Sequence, residues 1–211
     1  MRGLFVTGTD TGVGKTVVAA CLVRRLGADY WKPAQTGLAD GDDDTRAVAA
    51  LAGLTQDRIH PPRHGFAAPL SPEAAAALQG AAVSLEDFAL PVTPHPIVVE
   101  GAGGVLVPLG GGATMADLMI RLGLPAVLVA RSTLGTINHT LLSVEALRRR
   151  RIAVCGVVMV GPHNAGNRVA IERYGAVRVL AALPWLDRVD AGAVVSLAAM
   201  LPAGLGEGGA D

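Results

Sequence analysis

Two lysines, several acids and a run of glycines fall into patterns suited to a phosphorylated ligand. The stretch GTDTGVGKT, residues 8–16, ends in Gly-Lys-Thr. Where such a loop leads from a strand into a helix, its backbone amides converge at the end of the helix dipole that favours an anion. Lys15 would then reach the terminal phosphates of a nucleotide, and the Thr16 hydroxyl would coordinate Mg2+. The count departs from the common phosphate-loop form, because five residues separate Gly8 from Gly14 where that form has about four. The competing reading is a glycine-rich turn with an incidental lysine.

Ligands of parallel α/β sheets bind beyond the carboxyl ends of the strands, so the other strand ends are candidate positions for site residues as well. A strand expected over 97–99 ends in Glu100-Gly101-Ala102-Gly103-Gly104, a carboxylate followed by residues that allow close backbone approach. Glu100 there would hold Mg2+ or its waters. Asp42-Asp43-Asp44 reads either as a solvated turn or, through Asp44, as a second hard oxygen ligand. In WKPAQTG, Lys32 and Thr36 offer a cation and a hydroxyl within five residues, suited to a substrate that acquires negative charge. Lys32 alone would equally be a surface lysine. In LGTINHT, residues 134–140, Gly135 and Thr136 open a helix whose amides either bind a carboxylate or serve as a simple cap. His163 and Asn164 follow a strand end and read either as contacts to a base or as solvent-facing residues. Arg148–Arg151 complement a helix C-terminus. No Ser-His-Asp or Cys-His set has meaningful spacing.

These residues need a scaffold, and hydrophobic periodicity supplies one. Strands are expected at Leu4–Thr7, Asp29–Trp31, Ile97–Val99, Ala126–Val129, Val154–Val160 and Val177–Ala181. Helices are expected at Thr16–Leu26, out of the acidic loop segment 37–48, at Pro72–Leu78, around Leu85–Phe88, and at Met115–Leu122 and Ile137–Arg149. Strands apolar on both faces, alternating with helices, imply a mostly parallel α/β sheet covered on both sides. Residues 61–96 hold more than half of the prolines and read as a loosely organised excursion. One domain over 1–201 is expected, with a flexible tail over 202–211.

Composition narrows the partners. The chain has 211 residues, 51% hydrophobic but only 3% aromatic, so its core must be aliphatic. Eighteen basic and eighteen acidic residues cancel, which gives no global electrostatic reason to expect nucleic acid or anionic membrane. Cys21 and Cys155 lie in apolar runs without metal-ligand spacing and read as small buried hydrophobes. No stretch reaches the roughly 20 apolar residues of a spanning helix, so a soluble cytoplasmic protein is expected.

The ordered set GTDTGVGKT, KPAQTG, GDDD, VEGAGG, LGTINHT and LPWL resembles the dethiobiotin synthetase family over almost the whole chain, least between 50 and 95. That resemblance implies a P-loop NTPase-type fold and a homodimeric, ATP- and Mg2+-dependent ligase. Its members add CO2 to 7,8-diaminononanoate, phosphorylate the carbamate and close a cyclic urea. It implies catalytic roles for Lys15 and Lys32. Nucleotide contacts would come from Gly12, Val13, Gly14, Lys15, Thr16, Val17, Asp44, Glu100, Gly101, Ala102 and Gly103, with Pro184, Trp185 and Leu186 near adenine. Thr16, Asp44 and Glu100 would hold Mg2+. Substrate would meet Thr11 and Thr36, while Gly135, Thr136, Ile137 and Asn138 would receive the carboxylate of substrate bound to the partner subunit. After Val160, where some members carry an adenine-reading Asn, this chain has Gly161-Pro162.

A partitioning-type ATPase is the alternative reading. Such proteins carry a second lysine in the phosphate loop, where this chain has Asp10. An amidoligase of the cobyrinate type would need a further glutamine-hydrolysing domain, and a nucleotide-gated binding module would not need Lys32.

Overall fold

The computed structural model describes residues 3–205. Seven parallel strands form the main sheet: β1 (Gly3–Gly8), β2 (Asp29–Trp31), β3 (Ile59–His60), β4 (Ile97–Gly104), β5 (Ala126–Arg131), β6 (Val154–Val160) and β7 (Val179–Leu183). Their spatial order is β7-β6-β5-β1-β4-β2-β3. The helices are α1 (Lys15–Leu26), α2 (Asp44–Ala52), α3 (Pro72–Leu78), α4 (Met115–Leu122), α5 (Thr136–Arg149), α6 (Ala165–Gly175) and α7 (Ala191–Ala199).

Strand periodicity divides the core into two layers. Leu4, Val6, Val98, Val127, Val129 and Val158 point to the face covered by α1, α2 and α7. The alternate residues Phe5, Ile97, Val99, Leu128, Val157 and Met159 point to the other face, where Leu118, Val144 and Ile171 of α4, α5 and α6 meet them. Successive strand side chains face opposite ways, so β-branched runs without polar alternation form strands buried on both sides.

β1 lies between β4 and β5, and the chain reaches these neighbours by running first to one side of it and then back across. This reversal opens a crevice at the carboxyl ends of the central strands. Three of the sequence expectations change in consequence. β4 does not stop at Val99 but continues to Gly104, so Glu100 is a strand residue in register with Val6. Gly101, expected to allow close approach of a ligand, serves packing instead: a Cβ there would stand 2.8 Å from the Phe5 ring. β7 begins at Val179 rather than Val177, because α6 runs to Gly175 and the left-handed Ala176 has still to turn the chain.

The helices α6 and α7 and the strand β3 are elements that sequence reasoning did not contain. α6 buries only Ile171 and Gly175, which leaves little apolar periodicity to read. α3 spans the expected Pro72–Leu78 and starts at a Ser71 cap, whose side chain accepts from the Ala74 amide. The segment around Leu85–Phe88 forms one 3-10 turn, Leu85–Asp87. Leu201 and Leu205 are buried in the α1–α7 layer; residues 206–211 of the expected tail lie outside the described residues. No helix among the described residues is long and apolar enough to cross a membrane.

Candidate active site

The glycine count of the phosphate loop is resolved by β1. Gly8 is the last residue of that strand, paired to Gly104 on one side and Val129 on the other, so the loop proper begins at Thr9. Gly14 caps α1 with φ of 97°, a backbone conformation that favours glycine. Thr11, Gly12, Gly14, Lys15, Thr16 and Val17 line one wall of a cavity of about 750 Å³, within the usual size of small-molecule sites. Val13 points away and is buried in the core.

The opposite walls come from the ends of β2 and β4. Lys32 follows β2 and is buried; its ammonium lies 2.5 Å from Asp44 Oδ2 and 3.1 Å from Glu100 Oε1. It also donates to the Gly101 carbonyl at 3.3 Å. The Thr16 hydroxyl lies 2.7 Å from Asp44 Oδ1 and 3.1 Å from Glu100 Oε1. The second oxygen of Glu100 accepts from the Tyr30 hydroxyl at 2.9 Å. One hydroxyl and two carboxylates therefore converge with one ammonium, although the first three residues are up to 84 positions apart in the chain.

Burial would lower the Lys32 pKa, but the Glu100 and Asp44 carboxylates outweigh it and hold the ammonium above the ordinary lysine value. Burial also opposes ionisation of Asp44, yet Lys32 and the Thr16 hydroxyl keep its carboxyl below the usual range. Lys15 has a different balance. Burial first, and then the charge of Lys32, lower it to about 8. Its ammonium donates to the Asp10 carbonyl at 2.9 Å, so it holds the loop closed on itself.

The remaining expected residues fall in three groups. Thr36, Ala102, Gly103 and Trp185 line the cavity. Gly101 touches it through Lys32, while Pro184 and Leu186 flank Trp185 outside the lining. Gly135, Thr136, Ile137 and Asn138 form the start of α5, away from the cavity. There the buried Thr136 hydroxyl is committed to the Arg131 carbonyl. Asp43 caps α2 by accepting from the Arg46 amide at 2.9 Å.

Sequence reasoning missed Tyr30, Gln35 and the pair formed by Arg131 and Asp10, 2.6 Å apart. Gln35 sat in full view inside KPAQTG; nothing in the pattern distinguished it from its neighbours. Among the described residues no group of three or more His, Cys, Asp or Glu side chains is arranged to hold a metal. The Thr16 hydroxyl nevertheless lies within hydrogen-bond distance of both the Asp44 and the Glu100 carboxylate, and these hard oxygens are a donor set that fits Mg2+ beside phosphates.

A protein-family model described as an AAA domain matches residues 2–193. The biotin biosynthesis bifunctional protein BioCD of Bordetella avium is 55% identical over 201 residues, covering 95% of this chain and 43% of that protein, so this chain spans less than half the length of that relative. The ATP-dependent dethiobiotin synthetase BioD of Paramagnetospirillum magneticum is 54% identical over 197 residues, 93% of this chain and 95% of that protein. Among solved structures, a ParA family ATPase from Chlorobium tepidum TLS aligns with a TM-score of 0.52 at 10% identity, covering 94% of this chain and 98% of that one. The cell division ATPase MinD of Pyrococcus furiosus aligns with a TM-score of 0.51 at 18% identity, covering 95% and 98%. At these identities the likeness to the two ATPases is one of fold.

Proposed function

This chain belongs to the dethiobiotin synthetase family, and from that premise we propose that it converts 7,8-diaminononanoate, CO2 and ATP into dethiobiotin, ADP and phosphate. The observation that carries the reading is the meeting of Lys15, Thr16, Lys32, Asp44 and Glu100 around one cavity. One amine of the diamine attacks CO2 to give a carbamate. The carbamate oxygen attacks the γ-phosphorus of ATP and releases ADP, and the second amine displaces phosphate to close the cyclic urea. Each step develops or moves negative charge on oxygen, and catalysis of phosphoryl transfer is mainly positioning plus electrostatic stabilisation.

Lys32 is suited to the carbamate and the transferring phosphoryl group because it is buried, fully charged and fixed from two sides. Lys15 stands at the start of α1, where the loop amides would bind the β- and γ-phosphates. Lys15 and Lys32 are balanced by Asp44 and Glu100, so a triphosphate needs an accompanying cation. Thr16, Asp44 and Glu100 would hold Mg2+, which would supply charge neutralisation at the phosphates. Thr11 and Thr36 would contact the diamine, and Trp185 with Pro184 and Leu186 would lie by the base.

The reading includes a homodimer in which the start of α5, Gly135 to Asn138, receives the carboxylate of the partner's substrate. Leu134, Leu142, Val169 and Tyr174, on or beside α5 and α6, are exposed apolar side chains that support such an interface. A partitioning role is less well supported, since Asp10 pairs with Arg131 and offers no second cation to a phosphate. The test is to mix protein, ATP, Mg2+, bicarbonate and 7,8-diaminononanoate and look for dethiobiotin by mass spectrometry. ADP formation that does not depend on the diamine would defeat the proposal.

A further inference from the structure

Gln35 lies in the cavity wall without a role in the reaction as described, and its side chain is spent entirely on the protein. It is buried, and its Nε2 donates to the Thr36 carbonyl at 2.8 Å and to the Asp42 carbonyl at 3.1 Å. Its Oε1 accepts from the Asp44 amide at 3.2 Å. The amide orientation is fixed by this set, because a flip would turn Oε1 against two carbonyls and Nε2 against an N–H. Both donors of the amide are used, so little capacity remains for a ligand.

The main chain of Gln35 is anchored as well. Residues Ala34–Gln35 pair with His64–Gly65, and the Phe66 amide donates to the Gln35 carbonyl at 2.9 Å. From this anchor the side chain spans the loop 36–43 and takes hold of it at both ends. The Asp44 amide opens α2 and belongs to the first turn, whose N–H groups have no partner within the helix. Gln35 is its partner, and the Asp44 carboxylate on the same residue holds Lys32 and Thr16.

We propose that Gln35 is a positioning residue: its amide fixes Asp44, and through Asp44 the Lys32 ammonium, relative to Thr36. This rests on the proposed reaction for its kinetic consequence but not for its structural one. Misplacement of a catalytic group by about 1 Å can cost about a hundredfold in rate, and removal of the amide frees the start of α2 by a fraction of that. The variant Gln35→Met keeps the length and removes all three hydrogen bonds.

The experiment is a double-mutant cycle with Asp44→Ala, read by diamine-dependent turnover, together with amide exchange at Asp44. Gln35→Met is expected to lower kcat about 10- to 100-fold, with the affinity for a non-hydrolysable ATP analogue changed less than about twofold. In the Asp44→Ala background the same substitution should cost less than about twofold, since the residue it acts through is gone. A purely structural role would give equal losses in both backgrounds, and either that additivity or an unchanged kcat overturns the proposal. Exchange at the Asp44 amide should rise about tenfold or more in Gln35→Met while exchange in β1 stays unchanged. No rise there overturns the proposal even if the chain proves to catalyse a different reaction. Should Gln35→Met fail to fold, Gln35→Asn repeats the cycle: it keeps an amide in the cavity wall but is one methylene too short to hold both ends of the loop, so the loss expected in the wild-type background is smaller but must still vanish beside Asp44→Ala.

Discussion

β2 carries a buried charge cluster at each end, and the two are built on opposite rules. At its amino end, Asp29 is buried and accepts from the Arg58 guanidinium, from His60 Nε2 at 3.1 Å and from the Thr93 hydroxyl at 2.5 Å. Arg58 also donates to the Gly27 carbonyl at 2.7 Å. Three donor residues from two chain segments meet one acid, and they tie β3 and the approach to β4 onto β2. At the carboxyl end, Lys32 is shared by two acids, Lys15 is satisfied only by a loop carbonyl, and the whole set faces a cavity. Burial and charge alone therefore do not distinguish a working site from a clamp. Polar capacity directed at open space does.

The contrast is tested hardest at Lys32. Lys32→Ala should lower turnover about 100- to 1000-fold, the usual cost of removing one electrostatic stabiliser, while nucleotide binding is largely retained. Full activity would remove Lys32 from the mechanism. Replacing the acid at the other end should exchange the phenotypes. Asp29→Ala strands Arg58, His60 and Thr93 and should cost about 3 kcal/mol of stability, measured by denaturant unfolding, with kcat of the folded protein within about twofold. If turnover fell with Asp29 while stability held, the two clusters would not be separate in kind.

The Asp29 clamp also has a pH signature. Burial works against its ionisation, but the hydrogen bonds from Thr93, Arg58 and His60 prevail and hold its carboxyl below the usual range. A depressed acid contributes stability above its unfolded value that is lost as pH falls through the folded one. Acid unfolding of the wild type should be steeper than that of Asp29→Asn, which starts less stable and has no such proton to take up. Parallel acid profiles for the two proteins would remove this contribution.

How far the sequence could be read divides along the same line. The phosphate loop, Lys32 and Glu100 were legible because each follows an apolar run, and a parallel sheet brings such ends together whatever their separation in the chain. The acid that caps and the acid that faces Lys32 stand side by side in GDDD, and only the start of α2 decides that Asp43 caps and Asp44 turns inward. Gln35 and the Asp29 clamp were not legible, since their roles depend on backbone groups and side chains brought together by the excursion between β2 and β4. α6 and α7 escaped for a simpler reason: one buries too few residues to show a period, and the other is built mostly from small and β-branched residues that mark no polar face.

The smallest expected effect concerns Lys15, where the two kinds of cluster can be compared within one site. Lys32 is held charged by carboxylates, whereas Lys15, lowered to about 8 by burial and by Lys32, is held only by a carbonyl. Between about 8 and the ordinary lysine value of 10.5 the unfolded chain keeps a proton that the folded chain has released, so the stability penalty from Lys15 fades as pH rises through that window. Nucleotide binding runs the other way. Phosphate favours the ammonium, so affinity for an ATP analogue should weaken as pH passes 8, by at most about tenfold per pH unit, and binding there should take up a proton. Lys15→Arg keeps its charge throughout and should give a flat profile whatever its absolute affinity. Isothermal titration of both proteins from about pH 7 to 9.5, in buffers of different ionisation enthalpy, reads the slope and the proton together. A flat wild-type profile would mean that Lys15, like Lys32, is held charged before any phosphate arrives.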